Sequence, residues 1–378
     1  MKNALFIIIA ITLLIGCKGN GRSFTDEASL QAIPMLYAKN LAIFEGEKYS
    51  IAELRDPWDT TKLLNRYILI PKEEPLPAKL PQGVIVRTPL SNSMIYTTIH
   101  CKVVNELQAI ESIGGVCELE YINIPEIHKR HKEGKLINAG KGTNPDIEKI
   151  IELSPDAILL SPFENGGGYG AVEKLGIPII ECADYMEQSA LGSAEWIRFY
   201  GLLFGKKQIA DSIFTHVENQ YNTLKSIATT KSHKPKVMYG LKSGSAWYVP
   251  AGESAVAKLM EDAGANYIFA ESTGSGSIPQ SFDKVFEEGE DSDIWLIRYY
   301  QTTDKTYAEL KAEFEPYSEF KPFKTKQIYH CNTSYSTYYE DFPFHPELIL
   351  KELIAIFHPG TFTDHKAKYY LAFANSEH

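Results

Sequence analysis

Few side chains in this sequence sit in patterns that could do chemistry. His128 and His131, in Ile127-His128-Lys129-Arg130-His131, have the spacing of two zinc ligands on a helix turn, but the two cations between them repel a metal and no third ligand is near in sequence. A solvated helix is expected there, and a zinc- or manganese-binding protein would need histidines converging from elsewhere. Gly166-Gly167-Gly168-Tyr169-Gly170-Ala171 fits the loose G-x-G-x-x-A form of a dinucleotide loop, with Glu181 ending the next strand. It does not follow the first strand of its unit, so a nucleotide-dependent oxidoreductase is only a remote alternative. No G-x-S-x-G nucleophile elbow occurs. Cys101, Cys117, Cys182 and Cys331 include no close pair at metal-ligand spacing and specify no disulfide, so each reads as a small buried apolar residue. Catalysis, a cofactor and a metal site are not expected.

Cys17 is different. Lys2 supplies a positive start and Ala4 to Leu14 is apolar apart from Thr12, a run of roughly 16 Å as a helix, about half of a hydrocarbon core. Such a run is a signal segment and not a membrane span. Leu14-Ile15-Gly16-Cys17 resembles the lipobox of bacterial lipoproteins, which implies acylation of Cys17 and a mature chain held by lipid on the periplasmic side of a bacterial membrane. Lys18 replaces the aspartate associated with inner-membrane retention in some bacteria, which leaves an outer-membrane anchor open.

The 378 residues suffice for two domains with full cores. A formal charge of −10 argues against binding a phosphate backbone, so no nucleic-acid partner is expected. Twenty-two tyrosines and 18 phenylalanines suit an aromatic binding surface, and equally an ordinary core.

Strand-like segments 36–44, 48–54, 66–71 and 84–88, separated by turn signals and a proline-studded stretch, form a β-rich extension. After them strand and helix alternate. Segments 94–96, 115–118, 157–161 and 177–181 read as strands, with helices over 100–113, 144–153 and 171–175 between them; Pro145 stands at the first helical position of the second. The short apolar run in Pro155-Asp156-Ala157-Ile158-Leu159-Leu160-Ser161 has the character of a parallel strand covered on both faces. Helices over 189–204 and 206–227 follow in series, the second with Ile209, Ile213, Val217, Tyr221 and Leu224 on one face. A second alternation runs from Val237 through helices 254–263, 282–288, 307–313 and 347–357 and strands 293–298 and 327–330. The expected fold is α/β, two Rossmann-like lobes joined by a single long helix, with an N-terminal β-rich extension. The expected segments are a signal peptide over 1–16, tether and extension over 17–82, an N-terminal lobe over 83–204, an interlobe helix over 205–230 and a C-terminal lobe over 231–378.

Several segments, taken in order, resemble the substrate-binding lipoproteins of ABC importers for iron complexes (siderophores, haem) and cobalamin. They are Asn144–Ser161, Leu175-Gly176-Ile177-Pro178-Ile179-Ile180, Gly201–Lys207, Trp247–Gly264, and His345-Pro346-Glu347 through His358-Pro359. The likeness spans about Val84 to Tyr370, and the β-rich extension departs from it. The resemblance implies two rigid lobes around a ligand cleft, a bracing helix that limits hinge motion, an iron-complex or corrinoid ligand, and delivery to an ABC permease and its ATPase by a monomeric carrier. It also implies one exposed glutamate per lobe for permease docking, Glu148 matching the first and Glu253 proposed for the second. Both stand at helix starts, where a carboxylate is favoured by the helix dipole in any case.

Ligands of open α/β sheets lie beyond the carboxyl ends of the strands. In the first lobe this rule nominates Tyr96, Thr97 and Thr98, then Phe163, Glu164, Asn165 and Tyr169, then Tyr185. In the second lobe it nominates Trp247 and Tyr248, Arg298 and Tyr299, and Tyr335. Aromatic walls with a few charged tips suit a large or catechol-bearing ligand, because rings supply area and arginine pairs with anionic oxygens.

Overall fold

The structure is a computed structural model that describes residues 30–163 and 168–373. Cys17, Glu164 and Asn165 lie outside the described residues. Alternation of side chains builds the first sheet. Strands β1 (Gln31–Ile33), β2 (Leu41–Glu45), β3 (Ser50–Arg55), β4 (Leu63–Pro71) and β5 (Val84–Thr88) pair in that order, antiparallel except for the parallel β4–β5 pair. Ile51, Ile68 and Ile70 gather on one face, and Ala52, Leu54, Tyr67 and Leu69 on the other join the main core. Val84–Thr88 pairs with β4 and so completes the N-terminal sheet.

The segment read as one strand over 36–44 begins as irregular chain. Its amides are satisfied by side chains instead of a ladder: the Glu195 carboxylate accepts from the N–H groups of Leu36, Tyr37 and Ala38 at 2.9, 2.8 and 2.9 Å. Glu187 accepts from Lys39 and Asn40, each at 2.9 Å. Both glutamates are buried, and these bonds strap the extension to the body behind it.

The first lobe contains β6 (Ser93–Ile95), α1 (Thr98–Glu106), β7 (Ile113–Val116), α2 (Pro125–Lys132), β8 (Ile137–Asn138), a hairpin of β9 (Gly140–Lys141) and β10 (Asn144–Pro145), α3 (Ile147–Leu153), β11 (Ala157–Leu160) and β12 (Ile179–Glu181). Its sheet runs β12-β11-β6-β7-β8, all parallel. Every residue of β11 is buried, as its unbroken apolar run requires. Helix α3 starts two residues later than expected, because Asn144 and Pro145 pair with β9 and the Asp146 side chain caps the helix by accepting from Lys149 N–H at 3.2 Å.

Helices α4 (Ala190–Glu195) and α5 (Ile197–Leu203) lead into α6 (Lys207–Thr229), 23 residues and about 35 Å long. Its buried face is Ala210, Phe214, Val217, Tyr221, Leu224 and Ala228, so the N-terminal half is turned by one residue from the expected Ile209 and Ile213. It packs on α5 at one side and on the C-terminal α12 at the other, joining the lobes.

The second lobe holds β13 (Lys236–Tyr239), β14 (Lys242–Ser243), β15 (Ala246–Pro250), α7 (Ala255–Asp262), β16 (Asn266–Tyr267), β17 (Ser277–Gln280), α8 (Phe282–Gly289), β18 (Ile294–Tyr299), α9 (Tyr307–Glu313), α10 (Lys321–Lys324), β19 (Ile328–Asn332), α11 (Tyr338–Asp341), α12 (Pro346–Phe357) and β20 (Leu371–Ala372). Its sheet order is β16-β13-β18-β19-β20, parallel but for β20, while β14, β15 and β17 form a small antiparallel sheet. The fold is α/β with two mainly parallel sheets, as the alternating sequence pattern requires.

Candidate functional site

The carboxyl ends of β6, β7 and β11 open on a cavity of about 610 Å³. Tyr96, Thr97, Phe163 and Tyr169 line it together, with Glu118 and Asn144 on its polar wall. Glu118 escaped the sequence reading because the strand was extended to include it, whereas the strand stops at Val116 and Glu118 turns out with φ of 50°. The Tyr96 hydroxyl is buried with no hydrogen-bond partner among the described residues, and burial raises its pKa. An unpaired buried hydroxyl costs about 1–3 kcal/mol unless something supplies the missing bond.

Thr97 is held from below. It caps α1, accepting from His100 N–H at 3.3 Å, and its Oγ1 lies 2.5 Å from His100 Nδ1, whose Nε2 reaches Asp184 at 3.1 Å. The Tyr200 hydroxyl donates to the same Asp184 oxygen at 2.7 Å. Burial opposes protonation of His100, but the Cys182 sulfur and Asp184 carboxylate outweigh it and raise the imidazole to about 10. This buried chain of contacts fixes Thr97 at the start of α1 and is a positioning device.

On the second lobe Arg298 stands near the end of β18. Its guanidinium lies 4.8 Å from the Tyr338 ring centre, 4.9 Å from Tyr339 and 5.8 Å from Tyr239. Among the described residues no carboxylate, carbonyl or hydroxyl bonds to it. Cation–π contacts hold the group, at about 0.5–2 kcal/mol each, and leave its N–H donors unused.

The two lobes touch beside these features. Thr98 Oγ1 donates to Glu340 at 3.3 Å, Asn123 reaches the same oxygen at 3.5 Å, and the Tyr121 and Tyr300 rings meet at 6.2 Å. Farther along α1, Glu106 pairs with His345 at 2.8 Å. Burial opposes protonation of His345, but its bonds to Glu106 and Glu347 outweigh it and raise it to about 10.

The remaining nominated residues divide. Trp247 is not at the cleft: it is fully buried, donates to Tyr239 O at 3.0 Å and packs on Trp295, Tyr317 and Phe320. Its place in a hairpin after β13 brings the indole inward, while Tyr248 next to it is exposed on the small sheet. Tyr299 stacks on His330, with its hydroxyl 2.7 Å from Nδ1, and Tyr335 donates to Asp304 at 2.7 Å. Exposed Tyr185 donates to Pro162 O. Glu148 is exposed in the first turn of α3, and Glu253, exposed just before α7, accepts from Gly274 N–H at 2.8 Å. His128 and His131 bond to the carbonyls of Ile122 and Leu136, and no group of three potential metal ligands occurs among the described residues. The four described cysteines are buried and unpaired. No helix among the described residues is long and apolar enough to cross a membrane.

Known proteins resemble this chain in sequence and in fold. An uncharacterized lipoprotein of Methanocaldococcus jannaschii is 26% identical over 358 residues, covering 89% of this chain and 84% of its own. A possible iron-binding (periplasmic solute-binding) protein of Staphylococcus epidermidis superposes with a TM-score of 0.57 at 16% identity, covering 72% of this chain and 100% of that one. A periplasmic heme-binding protein of Vibrio cholerae gives 0.57 at 14% identity, with coverages of 71% and 100%. At such identities the structural likeness is one of fold. The periplasmic binding protein family model matches residues 121–335, more than half of the sequence, and the chain belongs to that family.

Proposed function

We propose that this protein is a solute-binding lipoprotein that captures an iron complex, a siderophore or haem, between its two lobes and delivers it to an ABC importer. The observation that carries this reading is Arg298. A guanidinium gathered among tyrosine rings with no anion of its own is suited to grip the oxygen-rich face of a chelate. The iron- and heme-binding proteins of similar fold support the ligand class. Tyr96, Thr97, Thr98, Phe163 and Tyr169 would hold the ligand from the first lobe, and Arg298 with Tyr339 from the second. Cys17 would carry the lipid, and serine at that position should release the protein from membranes. Residues 17–82, 83–204, 205–230 and 231–378 would be the corresponding tether with extension, first lobe, bridging helix and second lobe.

Titration of purified protein with ferric citrate, a ferric tris-catecholate, haemin and cyanocobalamin, followed by intrinsic fluorescence, tests the reading. A ferric complex is expected to bind in the micromolar range or tighter. Cyanocobalamin binding alone would favour the corrinoid carrier on the same scaffold, and no binding at all would overturn the proposal.

A further inference from the structure

The extension reaches the candidate cleft. Trp58, in the β3–β4 connection, and Leu64 on β4 line a space of about 260 Å³ with Phe163, Tyr169, Glu173 and Glu181. Phe163 and Tyr169 also line the 610 Å³ cavity, so the two spaces share a wall. The base of this annex is fixed from both sides. Asn65 Nδ2 donates to Glu181 Oε2 at 3.0 Å, Tyr169 donates to Oε1 at 2.8 Å, and the Glu181 N–H donates to the Tyr67 hydroxyl at 2.8 Å.

Its chemistry differs from that around Arg298. Among the described residues, three aromatic residues and two carboxylates line the annex, and no lysine or arginine does. Glu173 is exposed, and among the described residues only its Oε1 is engaged, by Tyr169 N–H at 2.5 Å. Ring faces attract a cation, a carboxylate supplies the opposite charge, and Leu64 covers the alkyl part, which is the combination that recognises a substituted ammonium. An anionic group would meet two like charges there. We infer that the N-terminal sheet supplies one wall of the ligand site, with Trp58 and Leu64 closing an annex that takes an apolar, positively charged arm of the solute. The inference rests on the proposed solute cavity next door.

Trp196, Trp247 and Trp295 are fully buried, so acrylamide quenching of intrinsic fluorescence reports mainly on half-buried Trp58. Benzyltrimethylammonium, an arm-sized cation, is expected to lower the quenching constant at least twofold and saturably, and benzenesulfonate to leave it unchanged. Glu173→Gln should weaken the ammonium effect about fivefold. No shielding, or equal shielding by both ions, overturns the annex. For the complex that binds best in the titration above, Trp58→Ala should weaken affinity about fivefold and Trp58→Phe less than twofold; unchanged affinity in Trp58→Ala overturns the shared occupancy. Shielding without binding of any ferric complex would instead sink the cavity reading and leave a separate cation site.

Discussion

The two lobes are built alike and equipped differently. Each presents the carboxyl ends of a mainly parallel sheet, yet the first carries the hydroxyls of Tyr96 and Thr97 and the carboxylate of Glu118, while the second carries the cation Arg298 in a ring of tyrosines. Among the described residues no lysine or arginine lines the cavities of the first lobe's rim. A ligand spanning both must therefore offer acceptors to one side and tolerate a negative field on the other. Shared architecture positions the site, and strand-end side chains decide what it holds.

The largest expected effect separates the extension from the lobes. Glu195→Ala removes the acceptor of three amide N–H groups and should cost about 3 kcal/mol of stability in denaturant unfolding, since each stranded donor loses its bond. A loss below about 1 kcal/mol would show that the strap is dispensable. Next, Arg298→Ala should weaken binding of an anionic ferric complex by roughly ten- to a hundredfold, the range for a lost charge-assisted contact, and lower the melting temperature somewhat as its contacts with the tyrosine rings go. Smaller again, Tyr96→Phe should lower affinity about fivefold while leaving stability equal or slightly higher, because it deletes a buried hydroxyl with no partner. A stability loss near 2 kcal/mol would mean that the hydroxyl is satisfied within the protein.

The interlobe pair gives a pH test. The folded-state pKa of His345, about 10, exceeds an unfolded value of about 6.5, so its contribution is fully present below about pH 6.5 and is lost as pH rises through about 10. Unfolding free energy should fall over that window, and His345→Asn should flatten part of the slope; His100 and the buried thiols of Cys101, Cys117 and Cys331, raised in the same sense, also contribute to it. The smallest effect on binding is expected for Glu148→Ala with Glu253→Ala, which should change affinity by less than about threefold, as exposed charges away from a site do, and yet reduce uptake.

Much of the fold was legible because parallel strands and amphipathic helices leave periodic traces. Ala157–Leu160 and the face of α6 carry such traces, although Ala210 and Phe214 show the α6 stripe rotated by one position where α5 and α12 share it. The extension's edge was harder, since the amides of Leu36 to Asn40 bond to glutamates some 150 residues away in sequence, a pairing no local pattern encodes. At the site, Tyr96, Thr97, Phe163 and Tyr169 followed from the strand-end rule. Trp247 did not, because position after a strand does not reveal which way a hairpin turns its side chains. Trp58 and Leu64 were invisible for a third reason: they come from a sheet whose docking onto the lobe depends on tertiary contacts alone.

The central claim is that one ligand is gripped from both lobes. It is tested most directly by titrating a single ferric complex into wild type, Tyr96→Phe, Arg298→Ala and the double variant. Both single variants should weaken binding of the same complex, and the double variant should be weaker than either. If Arg298→Ala abolishes binding while Tyr96→Phe and every other change at the first lobe's rim leave it untouched, the ligand sits on one lobe only and the account is wrong.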